Sequence, residues 1–255
     1  MTTSSEIYVR SEEELFSREE LALITIVPEH IAIIMDGNRR WARQQGLPPI
    51  MGHWEGAETL TDVVRAAGQL GVKTLTVYSF STENWSRPTD EIEQLMNIFE
   101  LYLHRKREVM VREGIRLDAI GDLTALPERV QAAFEMTKKA TEHCNKVNLV
   151  LAMNYGGRDE IRRAVAKILE MHGNEPVHVT EELISSQLDT FRFGDPELLI
   201  RTSGELRVSN FLLWQISYAE IYTTEVLWPD FSPKNLFEAV LAFQTRERRK
   251  GGGVC

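Results

Sequence analysis

No stretch of this 255-residue chain is long and apolar enough to read as a bilayer-crossing helix. The most apolar run, residues 21–35, is interrupted by Pro28-Glu29-His30 and is shorter than the roughly 20 residues a span requires. The opening residues, Met-Thr-Thr-Ser-Ser-Glu, lack the basic flank and apolar centre of a secretory signal. The chain is therefore expected to be cytoplasmic, with no export and no spanning segment. Cysteine is scarce. Cys144 and Cys255 alone give no disulfide framework and suit a reducing compartment. Positive charge is also in deficit. With 29 Lys and Arg against 38 Asp and Glu, the net charge of −9 argues against the broad basic face of a nucleic-acid binder. Any anion site must be a local patch.

Familiar chemistry-bearing motifs are missing as well. There is no G-x-x-x-x-G-K-[ST] and no G-x-G-x-x-G, so no standard nucleotide cradle. None of the six histidines has zinc-ligand spacing. Ser203 sits in Thr-Ser-Gly-Glu, which is not a nucleophile elbow.

What is present suits a soluble globular protein with a sizeable core, at 43% hydrophobic and 26% charged. Residues 1–27 read as a loose arm with one short helix near 11–23, and residues 28–255 as a single domain. Within that domain, apolar β-rich runs at 31–35, 73–80, 115–120, 147–153, 198–201 and 220–227 read as strands. Between them, amphipathic stretches at 41–45, 53–70, 89–114, 127–144, 159–172, 180–188 and from 232 onward read as helices, the last ending in basic residues 246–250. The run 47–50 breaks a helix with two prolines, 81–88 is a polar loop, and Gly71 is a C-cap. The alternation predicts an α/β fold with a mainly parallel sheet and helices on both faces. Ligands of such sheets bind at the carboxyl ends of the strands.

The unusual polar residues cluster there. Residues 31–35 end at Asp36; Gly37 and Asn38 turn the chain, and a helix starts that carries Arg39, Arg40 and Arg43. A strand end, a glycine turn and a helix start make an anion site. A carboxylate in such a site calls for a cation beside the anion, which points to a Mg²⁺-bridged phosphate or diphosphate. Arg87, Arg201 and Arg207 follow other strands, and arginine forks suit phosphate oxygens. Ordinary alternatives stand beside each residue: Asp36 as a helix cap, a lone arginine as a surface ion pair, Glu220 as a structural pair. Likewise Asn84 suits a loop cap, Trp41 and Trp85 suit packing, and the helix at 89–113 suits the core.

The longest motifs resemble one family. His30-Ile-Ala-Ile-Ile-Met-Asp-Gly-Asn-Arg-Arg-Trp-Ala is similar to the opening motif of the cis-prenyltransferases. Tyr78-Ser-Phe-Ser-Thr-Glu-Asn-Trp-Ser-Arg-Pro resembles their second motif, and Asn154-Tyr-Gly-Gly-Arg the middle one. Leu198-Leu-Ile-Arg-Thr-Ser-Gly-Glu-Leu-Arg-Val-Ser-Asn and Ala219-Glu220 onward resemble the last. The resemblance runs in order over about residues 28–252.

It implies a homodimeric, Mg²⁺-dependent enzyme that condenses farnesyl diphosphate with isopentenyl diphosphate units, making cis double bonds. The implied fold is a six-stranded, mostly parallel sheet wrapped by helices and enclosing an apolar tunnel. Asp36 would hold Mg²⁺, with Glu220 completing the metal environment. Gly37, Asn38, Arg39 and Arg40 would cradle the allylic diphosphate, with Trp41 nearby and His53 touching it. Asn84, with Ser81, Thr82, Glu83 and Arg87 around it, would guide proton loss, and Trp85 would pack near the substrates. Arg201, Arg207, Val208 and Ser209 would bind isopentenyl diphosphate. Arg249-Lys250-Gly251 resembles the family's Arg-x-Gly tail. One position departs: where the family usually has Arg three residues before Gly52-His53, this chain has Pro49. The tunnel is expected between residues 89–113 and 147–153, and a long hydrocarbon product implies transient, peripheral membrane contact. The competing reading is a non-catalytic partner subunit of a prenyltransferase, but such subunits tend to lose the residues equivalent to Asp36 and Asn84, which are both here. A nucleotide-binding regulator fails for want of a motif.

Overall fold

Strands that are apolar on both faces must be covered on both sides, and the chain satisfies this with one central sheet. The computed structural model describes residues 15–246. In chain order the main elements are α1 (Arg18–Ala22), β1 (His30–Ile34), α2 (Asn38–Gln44), α3 (Pro49–Leu70), β2 (Thr74–Ser81), α4 (Thr89–Glu113), β3 (Ile115–Ile120), α5 (Glu128–Ala140), β4 (Val147–Tyr155), α6 (Gly157–His172), α7 (Glu181–Gln187), β5 (Leu198–Arg201), β6 (Glu220–Thr223) and α8 (Pro233–Gln244). The strands form one six-stranded sheet in the order β3-β4-β2-β1-β5-β6, with every neighbouring pair parallel.

Strand alternation splits the core in two. Ile31, Ile33, Leu75, Val77, Leu149, Leu151, Leu198 and Ile200 face the larger cluster, which α3, α4, α5 and α8 complete. Ala32, Ile34, Val150, Ala152 and Leu199 face a smaller one with Phe211 and Leu212. Near the carboxyl ends of β2 and β4 the alternation breaks. Tyr78 pairs with Ala152 but Phe80 with Met153, and then Ser81 pairs with Tyr155. One extra residue therefore bulges on each strand, first Ser79 and then Asn154. The bulges move Phe80 onto the larger cluster and Tyr155 onto the smaller, each opposite to where unbroken alternation would put it.

Several boundaries differ from the sequence-based expectation. α2 begins at Asn38 rather than 41, directly after the glycine turn. Pro48 and Pro49 do not separate a loop from a helix at 53: Pro48 is the cap and Pro49 the first residue of α3, since proline's missing N–H costs nothing at a helix start. Residues 82–86 form a 3₁₀ turn instead of an open loop. β6 stops at Thr223, four residues early, and α5 ends at Ala140. Residues 15–27, expected as a loose arm, are docked: Phe16 is 3% exposed and stacks on Phe237 of α8, 5.5 Å between ring centres. The Thr25 amide also donates to Gln244 Oε1 at 2.9 Å. The expected helical residues 11–14, the basic run from 247 and the Arg249-Lys250-Gly251 tail lie outside the described residues.

His30, at the start of β1, is fully enclosed. Its Nδ1 lies 2.9 Å from the Gly194 carbonyl oxygen and its Nε2 2.7 Å from Thr76 Oγ1. Burial lowers its pKa from 6.5 to about 4, against the smaller raising effects of Gly194 and Glu197. Between those two pH values the unfolded chain binds a proton that the folded chain refuses. Stability should therefore fall as pH drops through that window, by at most ~1.4 kcal/mol per unit from this group, and this contribution should be flat above it. Denaturant titrations at about pH 7 and about pH 5 should show the loss, and His30→Gln, which cannot titrate there, should make it smaller.

Candidate active site

The chain leaves β1 toward β2 on one side and β5 toward β6 on the other. The crevice beyond the carboxyl ends of β1 and β5 is thus the topological switch point, where ligands of parallel sheets bind. Ile34 and Arg201 are in register there, and Asp36 follows just beyond β1. Arg201 is only 4% exposed and donates from Nη2 to Asp36 Oδ2 at 2.8 Å. Its Nη1 donates to Ser209 Oγ at 2.9 Å and to the Arg207 carbonyl. Thr202 clamps the other strand end. Its Oγ1 accepts from the Asp36 amide at 2.9 Å and donates to the Asp36 carbonyl at 2.7 Å.

Gly37 makes the turn into α2 with φ 106° and donates its amide to Asp36 Oδ1 at 2.7 Å. A Cβ here would have the wrong φ and would also sit 3.0 Å from the Leu227 side chain. Gly52, in the first turn of α3, is held even more tightly: a Cβ would lie 2.0 Å from the Asn38 carbonyl oxygen. That close approach sets His53 against the same cleft as α2.

Guanidinium groups ring Asp36, and two carboxylates hold them. Arg40 donates to the Ser203 carbonyl at 3.0 Å and to Glu205 Oε1 at 3.1 Å, while Arg207 pairs with Glu205 Oε2. Arg87 donates to Glu91 Oε1 at 3.2 Å, and Arg39 stands 3.8 Å from the same oxygen. Four of the five non-glycine residues with positive φ among the described residues lie in the loop after β5: Ser203, Ser209, Asn210 and Leu212. Strain concentrated in one loop at a strand end is typical of ligand clamps.

Three hollows meet at this ring. An open cleft of about 640 Å³ is lined by Asp36, Asn38, Arg39, Arg40, Arg43, Pro49, His53 and Arg87. A second open cleft of about 530 Å³ is lined by Asp36, Ser81, Glu83, Asn84, Arg87, Arg201 and Ser209. Between them a mainly apolar cavity of about 140 Å³ runs inward, walled by Ala57 and Leu60 of α3, Leu95, Ile98, Phe99 and Tyr102 of α4, and Leu151 of β4. Met35 and Arg87 border all three, and Asp36 borders both clefts.

His53 sits where cleft and cavity join. Burial, with Arg87 and Arg39 adding to it, lowers its pKa to about 4, so it is neutral near pH 7. Its Nε2 is buried without a hydrogen-bond partner, as is Asn38 Oδ1. Buried polar atoms are rarely left so, and two of them beside one hollow mark a place for a ligand.

The structure brings together most of the residues singled out from sequence: Asp36, Gly37, Asn38, Arg39, Arg40, His53 and Arg87 around one cleft, and Ser81, Glu83, Asn84, Arg201 and Ser209 around the other. Asn84 is also a cap, its Oδ1 accepting from the Ser81 amide at 3.1 Å. Arg207 reaches the ring through Glu205, Val208 packs on the smaller core cluster, and Thr82 bonds Glu83. Two tryptophans are placed by packing partners. Trp41 donates to Asp230 at 2.7 Å, and Trp85 to Asn154 at 2.7 Å.

Glu220 does not meet Asp36 within the chain. β6 runs parallel to β5, and Glu220 pairs with Leu198 at the amino end, while Asp36 lies beyond the carboxyl end. The Glu220 carboxylate is instead bonded to Arg246 at 2.7 Å. Sequence reasoning passed over Glu205, Thr202 and Glu91. Only Glu205 left a signal, as the carboxylate four residues after Arg201 and two before Arg207.

Among the described residues no three His, Cys, Asp or Glu side chains gather as a metal cage. Asp36 offers one hard oxygen donor group beside a cluster of cations. That set fits Mg²⁺, which keeps waters and shares substrate phosphates, and suits no metal that requires a full protein cage.

A family model described as "Putative undecaprenyl diphosphate synthase" matches residues 34–251. The chain is 48% identical over 226 residues to an isoprenyl transferase of Fusobacterium nucleatum, covering 89% of this chain and 96% of that protein. It is 46% identical to the isoprenyl transferase of Thermotoga maritima, covering 89% and 97%. Among solved structures, lavandulyl diphosphate synthase from Lavandula x intermedia, in complex with dimethylallyl diphosphate, superposes with a TM-score of 0.85 at 36% identity, over 89% of this chain and 99% of that one. A probable undecaprenyl diphosphate synthase from Campylobacter jejuni gives a TM-score of 0.75 at 33% identity, over 88% and 99%. By sequence and by fold, the chain belongs to the undecaprenyl diphosphate synthase family of isoprenyl transferases, the cis-prenyltransferases.

Proposed function

We propose that the protein is a Mg²⁺-dependent cis-prenyltransferase that adds isopentenyl diphosphate units to farnesyl diphosphate and makes a long-chain, undecaprenyl, diphosphate. That product would serve as the lipid-carrier precursor for cell-wall polysaccharide synthesis. The observation that carries the reading is the meeting of two cation-ringed clefts at Asp36 with an apolar cavity leading inward between them. Two diphosphates and one hydrocarbon tail need those three spaces.

In this reading the allylic diphosphate lies in the cleft of Arg39, Arg40 and His53, with its tail in the cavity. Isopentenyl diphosphate lies against Arg201, Arg207 and Ser209. The structure in which a relative holds dimethylallyl diphosphate supports a prenyl diphosphate here. The allylic C–O bond breaks, a bond forms between that carbon and the terminal alkene carbon of the isopentenyl unit, and a proton leaves the isopentenyl chain as diphosphate departs. Arg39, Arg40 and Arg87 stabilise the charge that gathers on the leaving group, and their prior fixation by Glu91 and Glu205 spares reorganisation. Asn84 orients the proton's exit. Asp36 with the diphosphate oxygens would hold Mg²⁺, which neutralises leaving-group charge when bound. Neutral His53 donates an N–H to the diphosphate without adding charge.

The apolar cavity is the proposed start of the product tunnel, and α3 joins the expected walls from α4 and β4. A second, smaller void of about 20 Å³ lies beyond Phe99, Tyr102 and Leu151, toward α5. No helix among the described residues is long and apolar enough to cross a membrane, so membrane contact, where a long hydrocarbon must be released, is proposed as peripheral. A homodimer is proposed from the family resemblance. β6 is the edge strand of the sheet, with Ile221 49% exposed on it, which supports a partner at that edge.

Three outcomes test the reading. Asp36→Ala should lower kcat by ~10²–10³-fold at saturating substrates and Mg²⁺. It should also cost on the order of 1–3 kcal/mol in stability, because it leaves the buried Arg201 guanidinium without its carboxylate. Near-parental turnover by the folded variant would reduce Asp36 to a turn-former. Pro49→Arg should lower the allylic KM, because position 49 lines the allylic cleft and a new charged donor contributes on the order of 1.5–3 kcal/mol when well formed. A raised KM would show that proline shapes the start of α3 instead. Leu151→Phe, on the wall shared by the cavity and the void beyond it, should shorten the product seen by chromatography of the dephosphorylated lipid. Unchanged chain length would place the tunnel elsewhere.

A further inference from the structure

The 3₁₀ turn at residues 82–86 carries Asn84 and leads into Arg87, which border both the second cleft and the apolar cavity. Two asparagines outside the turn hold it. Asn154 Oδ1 accepts from Trp85 Nε1 at 2.7 Å, and its Nδ2 donates to the Asp122 carbonyl at 2.9 Å. Asn210 Nδ2 donates to Glu83 Oε1 at 2.8 Å, while its Oδ1 accepts from the Arg158 amide at 3.0 Å. Both asparagines have left-handed backbones, with φ 46° and 62°. That conformation is uncommon outside glycine and is kept where the surroundings impose it.

Asn154 is the bulged residue of β4, passed over between the pairs Phe80 with Met153 and Ser81 with Tyr155. It is 6% exposed, whereas the Trp85 ring it holds is 38% exposed and rests edge-on against Phe80, 5.1 Å between centres. The tryptophan is thus fixed by a rigid strand end rather than by burial. The backs of the two anchors also close on each other: a Cβ at Gly156 would lie 2.7 Å from Thr82 Oγ1 and 2.8 Å from Asn210 Nδ2.

We infer that Asn154 and Asn210 form a two-point latch on the 82–86 turn, and that Asn154, through Trp85, is a positioning residue for Asn84 and Arg87. A bulge that merely ended strand pairing would have no need of a side chain aimed at the indole. The inference rests on the reading under Proposed function for its kinetic consequence, though the latch itself is a property of the fold.

Asn154→Gly is the informative variant, because glycine accepts the same φ without strain and deletes only the side-chain bonds. It should raise the isopentenyl diphosphate KM by about tenfold, the size expected when one well-made hydrogen bond is lost, with kcat changing less. Trp85→Phe, which removes the other partner from a half-exposed site, should do the same. The double variant should lose clearly less than the sum of the two single ones, since both remove the shared Trp85–Asn154 bond. Hydrogen exchange should speed up across residues 82–87 in Asn154→Gly and stay unchanged across 147–152. Additive losses, or normal KM and normal exchange in an active, folded Asn154→Gly protein, would overturn the latch. Failure of the parent protein to consume isopentenyl diphosphate would instead strike the proposed function, and exchange at 82–87 would still decide the latch.

Discussion

The carboxylate of Asp36 and the guanidinium of Arg201 meet 2.8 Å apart at the seam where the sheet's connections part in opposite directions. Neither strand end could project its charged group alone. A nearly buried arginine is costly unless its charge is partnered, and here Asp36 takes Nη2 while Ser209 and the Arg207 carbonyl take Nη1. Thr202 then fixes the Asp36 main chain from the β5 side. The seam therefore sets the position of the glycine turn, of α2 and of the loop after β5, which line the two clefts together with residues 81–87 and the start of α3.

Around that seam the charges are arranged as a ring of cations held in place by carboxylates. Glu91 serves Arg87 and Arg39, and Glu205 serves Arg40 and Arg207. Hydrogen bonds from Arg207 and Arg40 keep the Glu205 carboxyl below its ordinary pKa, so it stays ionised and keeps both arginines oriented. Under the proposed function, a diphosphate entering either cleft would find guanidiniums already placed and would compete with one carboxylate for each pair. The neutral His53 belongs to the same logic: burial and two arginines forbid it a charge, which leaves a polar atom at the cavity mouth that does not add to the cationic field.

The inner boundary of the site is made by irregularity. Two bulges in neighbouring strands exchange the faces of Phe80 and Tyr155. Tyr78 remains stacked on Phe211 at 4.4 Å, on the side of the loop that carries Ser209. Behind it, buried Glu160 takes bonds from Tyr155, Gln215 and the Asp189 amide, tying β4, α6 and the stretch before β6 into one support. Burial raises the Glu160 pKa, a cost that the three donors reduce.

The sequence by itself determined the class of fold and the end of the sheet at which the unusual polar residues gather. Apolar strands alternating with amphipathic helices admit little but a parallel sheet covered on both faces, and the polar residues that interrupt the pattern sit after strands, where such a sheet opens. Hence Asp36, Arg39, Arg40, Arg87 and Arg201 are legible from the pattern as neighbours at that end of the sheet, Asn84 is added by the family resemblance, and all six line the two adjoining clefts. What sequence could not reach was what depends on long-range register. The resemblance implies that Glu220 completes the metal environment at Asp36, yet within the chain parallel pairing of β6 with β5 puts it at the other end of the sheet. Pro48 and Pro49 read as a break, but become a helix start, where proline's missing N–H costs nothing, and α3 then meets α2 closely at Gly52. Glu205 and Asn154 acquire their roles from residues 165 and 69 positions away in the chain, through bonds that exist only once the strands have been aligned. Local periodicity fixes which face a residue presents to its own element; the tertiary structure alone decides which distant side chain is there to meet it.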